Sequence, residues 1–344
     1  MKILITGGCG FIGCNAADGF RARGHDVTVL DNLSRPGTGQ NLEWLHTLGP
    51  LEFVRGDIRD RDAIDRLVRV AGFDVILHLA GQVAVTTSVI DPRTDFETNA
   101  LGTLNVLEAV RRHSPRTIVL YASTNKVYGH LAHQDIVEEA TRYALTKFAD
   151  GVSEEQPLDF HSPYGCSKGA ADQYVVDYAR IFGLRTVTFR QSCIYGPRQL
   201  GLEDQGWVAW FIFAHLLARP ATIYGTGKQV RDVLFVDDLV DCYAAAVERI
   251  DRVSGMTFNI GGGPRHTQSL LEFLDYLGRL SGRRVTCGFA DWRPGDQHVY
   301  VSNVDKARTW LDWEPTVGVK DGVERLYRWV EQNSTLLGQA IGPR

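Results

Sequence analysis

The stretch ITGGCGFIG constrains this chain more than any other, because glycines at 7, 10 and 13 stand between a short apolar run and a helical period. Gly7 and Gly10 permit a tight turn and close approach of a pyrophosphate, while Gly13 lets helix and strand pack closely. Main-chain donors at the start of the helix, Phe11 and Ile12 among them, then attract phosphate. Strand, glycine turn and helix in this order predict the opening unit of a dinucleotide-binding α/β fold. Residues 2–6, 26–30, 51–54, 74–79, 117–122 and 186–190 read as strands, with helical stretches between most of them. Such alternation implies a parallel sheet covered on both faces. The helix expected over 60–70 shows the pattern, with Ile64, Leu67, Val68 and Ala71 near one face and Arg61, Asp65, Arg66 and Arg69 largely opposite.

Beyond about residue 190 the pattern changes. Helical runs at 207–217, 236–249 and 269–280 alternate with strand-like pieces at 221–224, 257–260 and 284–288. The expected fold is α/β: a Rossmann-type parallel sheet with helices on both faces over 1–190, with a returning segment near 233–262. A smaller, discontinuous C-terminal α/β substrate domain is expected over 191–344. With 344 residues, 44% of them hydrophobic, the chain can bury a large core. Lys plus Arg number 37 against 41 Asp plus Glu, a formal charge of -4, so no basic field exists to hold nucleic acid. The six cysteines form no CxxC pair or zinc-like array, which fits free thiols in a reducing, cytoplasmic setting and no metal. No apolar stretch approaches the roughly 20 residues needed to span a bilayer, so no membrane partner is expected.

The second expected strand runs into Asp31, an acceptor for both ribose hydroxyls that opposes an extra 2'-phosphate and so favours NAD over NADP. Arg35 offers the opposite possibility of pairing with such a phosphate. Asp57 follows the third strand, either as an acceptor for the adenine amine or as a helix cap. Leu79, Ala80 and Gly81 after the fourth offer a smooth edge to adenosine and pyrophosphate. In PYGCSK, Tyr164 and Lys168 lie four apart at the start of a helix, which puts phenol and ammonium on one face. A neighbouring cation and an oxidised nicotinamide favour the phenolate, allowing Tyr164 to take an alcohol proton as hydride leaves carbon. Ser123 and Thr124 follow the fifth strand at the carboxyl edge, where an open sheet forms its ligand crevice. There one hydroxyl can hold a sugar oxygen.

Asn125 and Lys126 come next, and an amide with an ammonium cannot replace the acid and base that dehydration requires. Lys126 either contacts substrate or pairs at the rim. Lys228 and Arg231 in GTGKQVRD, and Arg293 with Asp296 in DWRPGD, are candidate contacts for a diphosphate and a ribose. Trp207, Trp210 and Phe211 border a base pocket, a core or a dimer contact. His161 and His215 read as structural, and the aspartates of DVLFVDD as caps at a strand-to-helix junction.

Together TGGCGFIG, DNLSR, GDIRD, HLAGQVA, STNKVYG, SPYGCSK, RQSCIYGPRQ, RDVLFVDD, FNIGG and RPGDQ resemble the extended short-chain dehydrogenase/reductase family, specifically its nucleotide-sugar epimerases and dehydratases. The resemblance covers nearly the whole chain. It implies tightly held NAD, reduced and reoxidised within each cycle, and a homodimer or homotetramer. It also implies Thr124, Tyr164 and Lys168 as catalytic. Gly7, Gly10, Phe11, Ile12, Gly13, Asp31, Asn32, Ser34, Arg35, Asp57, Ile58, Leu79, Ala80, Gly81, Asn99 and Ser123 would hold the cofactor with Tyr164 and Lys168. Gln82, Thr124, Asn125, Gln191, Lys228, Arg231, Arg293 and Asp296 would hold the substrate. Within the family, DNLSRPG, FHSPYGCSKGAADQYVVDYARIFGL, RQLGLEDQGWVAWF and GTGKQVRDVLFVDDL are most similar to the branch that inverts C2 of a CDP-linked hexose. Cys193 stands where some relatives carry a polar amide. Inversion at C2 of another nucleotide sugar, inversion at C4 and a noncatalytic NAD-responsive protein are the alternatives.

Overall fold

Strands buried on both faces read as continuous apolar runs, and the runs around ITGGCGFIG assemble as that rule requires. A computed structural model describes residues 1–131, 135–146, 149–200, 206–293 and 295–341. Positions 201–205, the GLEDQ of the RQLGLEDQGWVAWF stretch, and Pro294 of DWRPGD lie outside the described residues. In chain order, β1 (Lys2–Thr6), α1 (Phe11–Ala22), β2 (Asp26–Asp31), α2 (Thr38–Thr47), β3 (Glu52–Arg55), α3 (Arg61–Ala71) and β4 (Val75–His78) form the first half of the sheet and its cover. The helices α4 (Val85–Ile90), α5 (Pro92–Phe96) and α6 (Gly102–His113) lead to β5 (Ile118–Thr124). Between α5 and α6 one π turn, Glu97–Leu101, interrupts the helical path. A hairpin of β6 (Ile136–Glu138) and β7 (Tyr143–Leu145) precedes the long α7 (Ser162–Phe182), β8 (Arg185–Gln191) and β9 (Cys193–Tyr195).

The remainder comprises α8 (Trp207–Leu216), β10 (Thr222–Tyr224), β11 (Val230–Phe235), α9 (Val236–Glu248), α10 (Ile250–Val253) and β12 (Met256–Ile260). It continues through β13 (Thr267–Ser269), α11 (Leu270–Ser281), β14 (Gly288–Ala290), β15 (Val299–Tyr300), α12 (Asp305–Leu311), α13 (Val319–Gln332) and α14 (Ser334–Ile341).

The main sheet is parallel, in the order β12-β8-β5-β4-β1-β2-β3. Strand order reverses between β1 and β4, which opens a crevice outside their carboxyl ends. The expected strand at 257–260 returns to this sheet, with Met256 to Ile260 paired against Val187 to Gln191. The strand expected at 284–288 begins later, at Gly288. The chain first turns out of α11 at Gly282, φ +66, and enters register only where Gly288 N–H donates to the Ala221 carbonyl at 2.9 Å. Asp60 caps α3 by accepting from Ala63 N–H at 3.0 Å, and Ile64 and Val68 are the residues it buries.

One core layer joins α1, the sheet and α9 with Leu311 and Trp313 from the far end of the chain, so the two halves share apolar contacts rather than hang on a linker. A second core surrounds α8, whose residues Val208 to Ala214 are all buried against α11 and α13. Among the described residues no helix is long and apolar enough to cross a membrane.

Candidate active site

The crevice at the β1/β4 switch opens into a cleft of about 940 Å³ that runs from the glycine turn, past the ends of β4 and β5, to α8 and the 293–296 turn. Its floor is made by backbone proximity. A Cβ at Gly7 would lie 2.8 Å from the Ala80 main chain, and one at Gly13 would lie 2.3 Å from the Gly7 carbonyl. Only hydrogen fits at either place, and Gly7 also adopts φ +67. Gly10 is the N-cap of α1 with no side chain capping it, so the first N–H groups of a helix border the cleft at Phe11, Ile12 and Gly13. The Asp31 carboxylate accepts from Cys9 N–H at 3.0 Å and Leu33 N–H at 2.8 Å. Burial pushes its carboxyl up and these donors oppose the shift. With Asn32 N–H also directed at the carboxylate, lone-pair capacity still remains on it at the cleft. Asn32, Ser34, Arg35, Ile58, Leu79, Ala80 and Gly81 line the same end.

At the other end of the floor, β5 and the first two turns of α7 bring three expected residues together. Burial pushes the Tyr164 phenol up to about 12, against a hydrogen bond with Thr124 that lowers it. Lys168 is 6% exposed; its ammonium donates to the Ala122 carbonyl at 2.5 Å and sits 4.3 Å from the Tyr121 ring centroid. Burial lowers it to about 7, while Asp172 and Asp95 act to raise it. Ser162, which opens α7, holds φ +67, a strained conformation for a residue with a side chain. Its hydroxyl accepts from Gly165 N–H at 3.2 Å. The Ser123 hydroxyl donates to Asp172 at 2.7 Å, within a buried pair in which Asp172 accepts two bonds from Arg190, at 3.0 and 2.9 Å.

Of the other expected contacts, Asp57 and Gln82 line the cleft with their side chains engaged within the protein, while Asn99 and Lys228 do not line it. Both oxygens of Asp57 already accept two bonds each, from Arg59 three times and Asn32 once, so its carboxylate has no lone pair for an adenine amine. Asp57 is not the cap of α3 either, since Asp60 fills that place. Asn99 stands behind the cleft wall, 1% exposed, accepting from Gln82 N–H at 2.9 Å. The Gln82 amide hydrogens go to the Ala84 carbonyl and Asp95, so its side chain braces the wall that it lines. Lys228 lies outside the cleft and donates to Glu138 at 2.8 Å.

Asn125, Gln191, Arg231, Arg293 and Asp296 do line the cleft. The Arg293 guanidinium lies 3.7 Å from the Tyr224 ring centroid, and Gln191 donates to the Tyr243 hydroxyl at 2.5 Å. Trp207, Trp210 and Phe211 belong both to the cleft wall and to the α8 core. His161 and His215 bond to Asp159 and Ser281, outside the cleft. Asp238 accepts from the Thr316 hydroxyl and Val317 N–H. Among the described residues no cluster suited to a metal ion occurs.

Motif reading passed over Asp95, which is 1% exposed. It accepts from Ser167 at 2.5 Å, Gln82 at 2.9 Å and Asn99 at 3.2 Å. Its signal was the four-residue spacing to Asn99 along the helical path. Arg198 was passed over as well; it lines the cleft with its guanidinium 4.2 Å from the Trp44 ring centroid.

Residues 3–261 match the NAD-dependent epimerase/dehydratase family. The chain is 48% identical over 334 residues to the CDP-paratose 2-epimerase of Salmonella typhi, covering 96% of this chain and 99% of that one. It is similar in structure to a UDP-glucose 4-epimerase of Thermotoga maritima solved with UDP-glucose, with TM-score 0.84, 29% identity and coverage of 97% and 100%. A Thermus thermophilus UDP-glucose 4-epimerase in complex with NAD gives TM-score 0.81, 32% identity and coverage of 96% and 99%.

Proposed function

The chain belongs to the NAD-dependent epimerase/dehydratase family, and from that premise we propose that it inverts C2 of a CDP-linked hexose, converting CDP-paratose to CDP-tyvelose. The observation that carries the chemistry is the meeting of Thr124, Tyr164 and Lys168 at one cleft with the glycine turn and Asp31. The choice of C2 and of CDP follows the 48% identical relative. Residues 1–190 with the strand at 256–260 would hold the cofactor, and most of 191–344 the nucleotide sugar.

The close backbone approaches at Gly7 and Gly13, the uncapped start of α1 and the spare lone pairs of Asp31 fit NAD. When bound, NAD supplies a reversible hydride acceptor beside the sugar. Tyr164, as phenolate, removes the C2 hydroxyl proton as the C2 hydrogen departs as hydride, leaving a 2-ketosugar. Thr124 holds the oxygen, and Lys168 adds positive charge beside the phenolate and orients the cofactor ribose. After the ketosugar presents its opposite face and regains the hydride at C2, Tyr164 returns the proton. Two reversals leave the protein and cofactor as they began and C2 inverted. Asn125 and Lys126 offer no carboxyl pair for removing water, which disfavours dehydration.

We infer a homodimer or homotetramer from exposed apolar side chains on the neighbouring α4–α6 and α7 stretches, Ile90 (85% exposed), Phe96 (55%), Tyr174 (50%) and Ile181 (63%) among them. The free cysteines fit a cytoplasmic setting. The test is product analysis by NMR after incubating the purified protein, without added cofactor, with CDP-paratose and CDP-glucose in parallel. Inversion at C2 of CDP-paratose is expected. Preference for CDP-glucose changes the substrate, inversion at C4 moves the reading to a 4-epimerase, and no conversion by the NAD-loaded protein overturns it.

A further inference from the structure

We propose that Lys126 is a positioning residue that locks the 295–297 turn of the sugar half onto the strand end bearing Thr124, and thereby sets affinity for the nucleotide sugar. This rests on the nucleotide-sugar reading above. Lys126 sits in the one-turn 3-10 helix Asn125–Tyr128 that follows β5, with its N–H donating to the Thr124 hydroxyl at 3.3 Å. Its side chain lines the cleft, and the ammonium donates to the Gly295 carbonyl at 3.2 Å and to Gln297 Oε1 at 3.4 Å. Gln297, 1% exposed, answers in the opposite direction by donating to the Gly129 carbonyl at 2.5 Å. Two straps therefore span one gap, both rooted in residues 126–129 and both ending on the turn that contains Asp296. Arg293, on the same turn, borders the cleft from above Tyr224. The turn is anchored to the sugar half where β15 pairs with β11, and its link to the strand end bearing Thr124 is made by the Lys126 and Gln297 side chains.

The charges facing Lys126 come from four elements. Arg231 on β11 opposes its charge, Asp296 on the turn and Cys193 on β9 favour it, and His130 lies just past the 3-10 helix. Burial, with Arg231, lowers Lys126 to about 8. Above that pH the ammonium becomes an amine, its bonds to the two acceptors lose their charge assistance, and the turn is held less firmly.

The experiment measures KM and kcat of the NAD-loaded enzyme with CDP-paratose from about pH 6.5 to about pH 9.5 for wild type, Lys126→Met and Lys126→Arg, with CDP binding by calorimetry in parallel. Lys126→Met is expected to raise KM about tenfold at neutral pH, with kcat within about threefold and unchanged NAD content. Lys126→Arg recovers most of the loss. Wild-type KM climbs above pH 8 toward the Met variant's value, and the variant's own KM lacks that climb. An unchanged KM in Lys126→Met overturns the proposal. So does a fall in kcat at constant KM, which would place the ammonium on the reacting atoms. If the variant does not fold, a wild-type KM flat across the range overturns it alone. A wild type that binds CDP but converts no CDP-linked sugar sinks the epimerase reading only, and the same comparison is then decided in the Kd for CDP.

Discussion

Replacing Asp172 with Asn isolates the buried charge beneath the catalytic strand. Asp172 is 0% exposed and Arg190 6%. Asp172 accepts from Arg190 at 3.0 and 2.9 Å and from Ser123 at 2.7 Å, and Arg190 also donates to the Tyr128 hydroxyl at 3.0 Å. Asparagine keeps an acceptor for Ser123 but leaves the guanidinium without a counter-charge. Removing one partner of such a pair costs about 3–5 kcal/mol. With an unfolding entropy of about 2.1 cal/mol/K per residue over 344 residues, that corresponds to a fall in melting temperature of about 4–7 °C. Thermal unfolding followed by circular dichroism at saturating NAD measures it. Asp172 also supports the charge on Lys168, whose pKa burial lowers to about 7. In Asp172→Asn that pKa falls further, so the ammonium is lost at lower pH and the alkaline limb of kcat moves toward acid. The double change Asp172→Leu with Arg190→Met removes both charges and is expected to cost less than the two single changes together. A fall in melting temperature below about 1 °C with an unmoved pH profile refutes the reasoning.

Tyr164→Phe keeps the buried ring and removes the hydroxyl that meets Thr124; kcat is expected to fall about 10²–10⁴-fold with bound NAD retained, measured by product NMR and by cofactor released on denaturation. Asp31→Ala removes an acceptor and a negative charge from the ribose end, so the preference for NAD over NADP narrows, with Arg35 at the same end of the cleft; equal selectivity by calorimetry counts against the assignment. Gly13→Ala places a methyl 2.3 Å from the Gly7 carbonyl and 2.6 Å from Gly8 Cα, a backbone collision costing about 1–3 kcal/mol or more. The purified variant should carry little NAD, and full occupancy would contradict the close packing of α1 on β1.

The parts of the site built from local pattern were legible in the sequence. Gly7, Gly10 and Gly13 announce themselves because only a few backbone geometries need glycine at that spacing, and Tyr164 and Lys168 because four residues on a helix fix a shared face. Side chains whose orientation is set by packing or by partners remote in sequence were not. Asp57 is followed two residues later by Arg59, whose fork fills its oxygens, yet nothing in GDIRD says whether that arginine turns inward or to solvent. Lys228 and Arg231 lie three apart in one motif, but Lys228 belongs to the turn before β11 and pairs with Glu138, while Arg231 on β11 borders the cleft. Asp95 and Asp172 acquire meaning only when α5 and α7 pack against the ends of β4 and β5. The late start of β14 was hidden because its register comes from β10, more than sixty residues earlier.

The electrostatics of Tyr164 and Lys168 bear on why an enzyme without net redox chemistry has this site. Burial raises the phenol to about 12 and lowers the ammonium to about 7, so desolvation works against both charges that the first half-reaction uses. Two buried carboxylates, Asp172 and Asp95, favour the ammonium, while Asp95 works against the phenolate. One added positive charge above Tyr164 reverses the balance at the phenol and pulls it toward phenolate. Without that charge, burial and Asp95 would favour the phenol, an acid able to return its proton. On the proposed mechanism Tyr164 would serve as base and then as acid according to the charge beside it, with no second acid required. That economy is what a two-way reaction needs, and it predicts that Tyr164→Phe lowers kcat in both directions while bound NAD is retained, measured by product NMR starting from either sugar.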